Sequence, residues 1–202
     1  MWQRRPESTL ITAPSVEPIT LAEAKLYLRV DSSADNSLIT GFITSARQMV
    51  ETYTRRSLCT QTYDFKYARF MDIRRPLIVP RALLQSVTHI KYLDEDASLQ
   101  TLSSADYTVR VFAGATAGRG YIELNESVSL PSLDTESIMP VIVRAVCGYG
   151  AAADVPEGLK SALYLLLGDL YEQRQETMQS VSNRTQTTAA RLMSPYRLLE
   201  VS

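Results

Sequence analysis

Histidine is almost missing from this chain of 202 residues: His89 stands alone. A Ser-His-Asp or Cys-His site would have to be built on that one residue, and a metal site with several His ligands is excluded. Cysteine is nearly as scarce. Cys59 and Cys147 make no disulfide framework and fit a reducing compartment. No apolar run approaches the ~18 residues of a membrane span. Met1-Trp2-Gln3-Arg4-Arg5-Pro6 has no apolar stretch behind its charges, so a secretory signal is not expected. Excess charge of either sign is lacking too: 21 Lys+Arg against 22 Asp+Glu leave a formal net charge of -1. Nucleic-acid binders usually lean strongly basic, and that footprint is absent. These absences leave a soluble intracellular domain with little catalytic equipment. The expectation is a protein that is not an enzyme and holds no cofactor or metal.

What is present is an ordinary core supply, 45% hydrophobic residues, in a length that suits one domain or one domain with an insertion. Residues 1–18 carry Pro6, Pro14 and Pro18 without apolar periodicity and read as an extended or partly mobile arm. Thr20-Leu21-Ala22-Glu23 is a capping box, predicting a short helix over 21–30. Asp35 is placed to cap a second helix, whose stripe is Leu38, Ile39, Phe42, Ile43, Ala46, Met49, Val50 and Tyr53. Arg47, Glu51 and Arg55 fall on its polar face, with Glu51 and Arg55 four apart as a helical ion pair. Phe42, Met49, Leu163 and Leu166 are the expected shared helical core.

From Cys59 the period changes to two. Tyr63, Phe65 and Tyr67 alternate with polar or small residues, and further strands are predicted at 77–79, 87–93, 107–111, 121–124 and 141–147. No helix intervenes between them, which points to an antiparallel sheet or small barrel. Asp154 and Pro156 then open a third helix, with Leu159, Ala162, Leu163, Leu166, Leu167 and Leu170 on one face. Residues 177–190 are polar, too poor in apolar content to fold alone, and as a flexible chain span about 20 Å. Beyond them Leu192, Met193, Pro195, Tyr196, Leu198 and Leu199 form an apolar cluster with no evident place in the chain's own core, the pattern of a peptide that docks onto something. The expected fold is α+β. A small helical platform of three main helices (19–58 and 154–176) would carry an inserted antiparallel, barrel-like β region (59–153). An N-terminal arm (1–18) and a C-terminal tail (177–202) would extend from it.

The candidate sites are weak as chemistry. Gly114 to Gly120 lacks the Lys-Ser/Thr and following helix of a phosphate loop and reads as a hairpin turn. Asp94, Glu95 and Asp96 lack the alternating oxygen spacing of a calcium loop. His89 has no nucleophile or carboxylate grouped with it in sequence. Cys59 and Cys147 read as buried thiols. The paired arginines Arg55-Arg56 and Arg74-Arg75 leave open a nucleic-acid-binding accessory domain on the helices around Arg47, Arg55 and Arg56. Charge is uneven: residues 58–90 hold five basic and two acidic side chains, residues 91–150 four basic and eight acidic. Opposite ends of this kind suit head-to-tail contact between copies, with Arg74 and Arg75 set against Asp94, Glu95 and Asp96.

One run goes further. Residues 19–31, Ile19-Thr20-Leu21-Ala22-Glu23-Ala24-Lys25-Leu26-Tyr27-Leu28-Arg29-Val30-Asp31, lead to Ser45-Ala46-Arg47 and to the segment Val50-Glu51-Thr52-Tyr53-Thr54-Arg55-Arg56-Ser57-Leu58. Gln61-Thr62, Pro80-Arg81, Leu84-Gln85-Ser86-Val87, Ile90-Lys91-Tyr92 and Cys147-Gly148-Tyr149-Gly150 follow. Val155-Pro156, Leu170-Tyr171-Glu172-Gln173-Arg174 and Leu192-Met193-Ser194-Pro195-Tyr196-Arg197 complete the pattern. It resembles the head–tail connector (adaptor) proteins of tailed bacteriophages and prophages, departing at Arg81-Ala82-Leu83, where relatives tend to keep a second proline. The resemblance implies a non-enzymatic protein of the virion neck, assembled in the bacterial host cytoplasm. It implies a twelvefold ring beneath the portal protein, extending the DNA channel and docking a downstream stopper or tail-side connector. Packaged DNA would pass through without specific binding, and no membrane is involved. The resemblance also makes the portal the partner of the tail residues Leu192, Met193, Pro195, Tyr196, Arg197 and Leu198.

Overall fold

A computed structural model describes residues 6–71, 75–125, 128–172 and 187–198. The chain divides into two compact units, Met1–Ala13 with Thr60–Gly148 and Pro14–Cys59 with Tyr149–Ser202. Among the described residues no helix is long and apolar enough to cross a membrane.

The second of these units is helical. α1 spans Leu21–Leu28 and starts on the expected capping box, with the Thr20 hydroxyl accepting from the Glu23 amide and the Glu23 carboxylate accepting from the Thr20 amide. It stops at Arg29, whose φ of 57° turns the chain left-handed. α2 spans Asn36–Thr54 and ends the same way at Arg55, φ 58°. Asp35 does occupy the N-cap of α2, but its carboxylate accepts from the Tyr171 hydroxyl at 2.7 Å and makes no side-chain cap bond. α3 spans Glu157–Glu172 directly after Pro156. Asp154 lies in the preceding 3-10 turn, where its carboxylate accepts from the Ala151 amide. Residues 187–193 form α4.

The core of this unit gathers Ile39, Ile43, Ala46 and Val50 of α2 with Leu159, Ala162, Leu163, Leu166 and Leu167 of α3. The α2 stripe is therefore narrower than its sequence implied, and it is turned. Met49, expected inside, is 43% exposed, and Leu38 is exposed with it. Phe42 is only partly buried against the core. Arg47, Glu51 and Thr54 from the nominally polar face are buried in their place. The Arg47–Glu51 ion pair, completed by Glu17 and the Leu58 amide, lets the helix bury that side and leave Met49 outside.

The other unit is built of strands. β1 (Glu7–Thr12), β2 (Gln61–Tyr67), β4 (Leu84–Leu93), β5 (Leu99–Leu102) and β8 (Val141–Cys147) form one antiparallel sheet in the order β1-β2-β8-β4-β5. β3 (Leu77–Ala82), β6 (Tyr107–Arg110) and β7 (Arg119–Leu124) form a second, in the order β3-β7-β6. The fold is α+β with two open antiparallel sheets. The barrel-like closure is not found. β2 and β8 bury every second residue, which puts Tyr63, Phe65, Tyr67, Val141, Val143, Ala145 and Cys147 on one face. They share a core with Leu77, Val79, Ile122 and Tyr107.

Two strands lie where the sequence predicted none. β5 has four residues and buries only Leu102, too short to show alternation. β1 buries no residue at all, so the segment read as a free arm is an edge strand without an inward face. The chain changes sheets between β3 and β4 at Leu83, which has a φ of 62° and whose carbonyl accepts from the Gly148 amide at 2.9 Å. Arg81-Ala82-Leu83, the departure from the family pattern, is thus a left-handed corner, a conformation uncommon for a residue with a side chain.

Candidate functional site

The densest polar arrangement in the helical unit surrounds Arg47. Its Nε donates to Glu17 Oε2 at 2.7 Å and its Nη1 to Glu51 Oε2 at 2.9 Å. Glu17 also accepts from the Thr44 hydroxyl, and the second oxygen of Glu51 accepts from the Leu58 amide at 2.9 Å. Burial opposes the Arg47 charge, but the Glu17 hydrogen bond and the charges of Glu51 and Glu17 outweigh it and raise its pKa above the ordinary value. A stripe reading sorts Arg47 and Glu51 to the solvent. Their i, i+4 spacing beside a row of Ile and Val was the available signal.

Arg56, two residues past the end of α2, is 2% exposed. Burial lowers its pKa, an effect that a hydrogen bond with the Tyr149 hydroxyl partly offsets. Its Nε donates to the backbone carbonyl of Tyr196. That bond is one of several that seat the described part of the tail on its own helical unit. Ala189 and Met193 are buried there, and Leu192 and Tyr196 pack against the same core. The Leu198 amide donates to the Thr54 carbonyl at 3.1 Å, and the Arg197 guanidinium lies 5.2 Å from the centre of the Tyr53 ring. The Tyr196 hydroxyl passes so close to Gly158 that a Cβ there would sit 3.1 Å from it. The expectation that this apolar cluster lacks a place in the chain's own core is overturned. Residues 187–190, counted with the polar spacer, are helical, and Ala189 is one of the anchors. Only Arg191, Ser194, Pro195 and Arg197 keep exposed side chains in 191–198.

The arginines offered for nucleic acid fare accordingly. Arg47 and Arg56 are inside and hydrogen-bonded, so neither presents its charge to a phosphate.

Outside this lock, α1 carries an open cleft of about 800 Å³ lined by Leu21, Ala22, Lys25, Leu26, Arg29 and Val30, among others. Leu26 is 82% exposed. The cleft combines an apolar helix face with a rim that carries Lys25, Arg29 and Asp31.

In the sheet unit, Asp94 builds its own turn: its carboxylate accepts from the amides of Asp96 and Ser98 and from the Gln100 side chain. Those bonds, Gln100 foremost, hold its pKa below the usual carboxylate range. Glu95 and Asp96 remain exposed, as does Arg75, whereas Arg74 lies outside the described residues. Gly114 to Gly120 joins β6 to β7 as a hairpin. His89 faces Arg144 across the β4–β8 ladder, and Arg144 holds Asp64 through two 2.8 Å bonds. Burial and then the charges of Arg144 and Lys91 lower the His89 pKa. Both cysteines are buried. Burial pushes the Cys59 thiol up to about 11 and the Cys147 thiol up to about 12, the opposite of an activated nucleophile. Among the described residues no three His, Cys, Asp or Glu side chains gather as a metal site.

No curated protein matches the chain. A chain in the neck of an empty GTA particle, computed with C6 symmetry, has the same fold, with a TM-score of 0.77 at 19% identity over 97% of each chain. A chain in the virion of a native gene transfer agent (GTA) particle gives 0.75 at 20% identity, over 96% of this chain and 97% of that one. A chain in the neck of a native GTA particle, computed with C12 symmetry, gives 0.67 at 18% identity over 97% of each. Residues 18–111 match the family model of phage gp6-like head-tail connector proteins. The chain is thus similar, over α1, α2 and the strands as far as β6, to the phage gp6-like head-tail connector proteins, the family its sequence resembles.

Proposed function

We propose that this protein is a structural head–tail connector of a phage-like virion neck. The observation that carries the reading is the family match over residues 18–111, joined to a fold shared across nearly the whole chain with neck chains of GTA particles. The physical character of the molecule agrees. A ring subunit needs two different complementary faces and a rigid body, and gains nothing from a catalytic cluster. The buried Glu17–Arg47–Glu51 and Arg56–Tyr196 bonds supply rigidity, and the α1 cleft supplies one apolar face.

In this role twelve copies form a ring below the portal protein, and the opposite side of the ring receives a downstream connector. The ring neither cuts nor modifies DNA, and a near-neutral chain retains few phosphate contacts that would hold DNA in the channel. The tail meets the portal through what it leaves outside, Pro195 and Arg197 with the half-buried edges of Leu192, Tyr196 and Leu198. Met193 stays in its own subunit. Arg75 of one copy faces Glu95 and Asp96 of the next.

The test is a deletion of the gene in a producing host. Filled heads without tails, restored by the gene in trans, are the expected outcome. Tailed particles of normal composition would overturn the proposal. A Pro195→Glu, Arg197→Glu variant tests the tail contact, with intact circular dichroism and lost co-purification with the portal expected. Retained binding would reject that contact alone.

A further inference from the structure

β1 is attached to its sheet in an unusual way. None of its six residues is buried, and neither Leu10 nor Ile11 joins the apolar cluster of the sheets. What holds it is the backbone ladder to β2, from Glu7 opposite Lys66 to Thr12 opposite Thr62, with a bulge between Leu10 and Thr12. The Glu7–Lys66 ion pair adds little, at 3.8 Å with side chains 60% and 40% exposed. Such a ladder recognises a backbone edge and a register. It carries no side-chain feature that ties β1 to the β2 of its own chain.

The covalent connection is no tighter. The whole of Pro14–Cys59, a different compact unit, separates β1 from β2 in sequence. The chain is next fastened at Glu17, held by Arg47 and Thr44, and at Ile19, which is buried. Between the ladder and that anchor, residues 13–16 are exposed or half-exposed and include Pro14. If β1 left, β2 would become the edge of a sheet whose Phe65 and Tyr63 are buried, with a row of unpaired amides that accepts any copy of the same strand.

We infer that β1 is an exchanged strand: in the assembled ring, β1 of one copy completes the sheet of the neighbouring copy by pairing with that copy's β2. This rests on the ring reading above and gives its interface a physical form. Exchange of one identical element preserves every hydrogen bond of the ladder. Each copy donates one strand and receives one; passed head to tail the relation closes as a ring, whereas reciprocal exchange between two copies would stop at a dimer. Leu10 and Ile11, exposed on the two faces of the strand, then lie at a subunit boundary.

The test uses the full chain carrying Glu7→Cys and Lys66→Cys, with a second pair, Thr12→Cys and Thr62→Cys, at the other end of the ladder. Both native thiols are buried, so mild oxidation reports on the engineered pairs. Native mass measurement first establishes whether rings are present in purified necks. With rings present, non-reducing electrophoresis of oxidised necks is expected to give a ladder of covalent multimers from either pair. Oxidation of dilute unassembled chain should give closed monomers that migrate slightly faster than the reduced form. Rings that yield only closed monomers from both pairs would overturn the exchange while leaving the connector reading intact. Necks that contain the protein without a ring would overturn the reading and the exchange with it.

Discussion

The helical unit and the sheet unit solve the same problem by different means. The sheet unit follows the simplest pattern available to a strand: β2 and β8 turn every second residue inward, and their charged side chains stay at the half-exposed face, as Asp64 and Arg144 do. The helical unit buries charge. Arg47, Glu51 and Arg56 lie inside it, satisfied by one another, by Glu17 and by backbone groups. The difference lies in what each unit loses when one partner is removed. A surface pair returns to water; a buried one leaves an orphan.

The sharpest way to break the comparison is to delete one carboxylate from each unit. Glu51→Ala leaves Arg47 buried with half its partners and the Leu58 amide without an acceptor, and should cost about 3–5 kcal/mol in denaturant unfolding. Asp64→Ala should cost less, about 1–2 kcal/mol, because the pair it breaks is bidentate but only partly buried and Arg144 can return to water. Similar costs at the two sites would remove the distinction. Apolar truncation should equalise the units: Phe65→Ala in the sheet and Leu163→Ala in the helices each lose about 3–4 kcal/mol, since both side chains are fully buried. Phe42→Ala, at a half-covered position, should cost about half of that.

A smaller effect concerns the tail. Met193→Ala should lower stability by about 2 kcal/mol and speed tryptic cleavage after Arg191, because Met193 and Ala189 are the buried anchors of the segment that carries it. Unchanged cleavage would show that the Arg56 and Leu198 bonds hold the tail by themselves. The effect that is smallest near neutral pH, and grows only above it, is alkaline. An unfolded thiol ionises near 8.5, whereas the folded thiols wait until about 11 for Cys59 and about 12 for Cys147. The folded state therefore binds more protons in that interval, and stability falls as pH rises from about 8.5 toward each folded value. Cys147→Ala should flatten this slope in the sheet unit and Cys59→Ala in the helical unit, with thiol labelling at pH 8 slow in the wild type.

How legible each unit was in the sequence follows the same division. The alternation of Tyr63, Phe65 and Tyr67 and the capping box at Thr20 and Glu23 are local signals, and both elements stand where they were expected. β1 escaped because a strand with no inward face has no period. The orientation of α2 escaped because it depends on Glu17, thirty residues away, turning Arg47 from a surface charge into a core one. The tail escaped for a related reason. Its anchors are Ala189, inside a polar run, and the Tyr196 carbonyl, which has no side-chain signature. Which apolar residues remain outside, Leu26 above all, was not readable either, because it depends on how α1 packs.

The position of β8 has a consequence for how the protein is made. The last strand to be synthesised lies in the middle of its sheet, between β2 and β4. Neither neighbour has its full ladder until residue 147 has emerged from the ribosome. The helical unit waits longer still, since α3 and Met193 follow. Both units therefore complete late, the sheet unit first, through contacts distant in sequence, which makes for slow folding. Until β8 is in place, β2 and β4 each present an unpaired edge, so a prematurely terminated chain is prone to mispairing and aggregation.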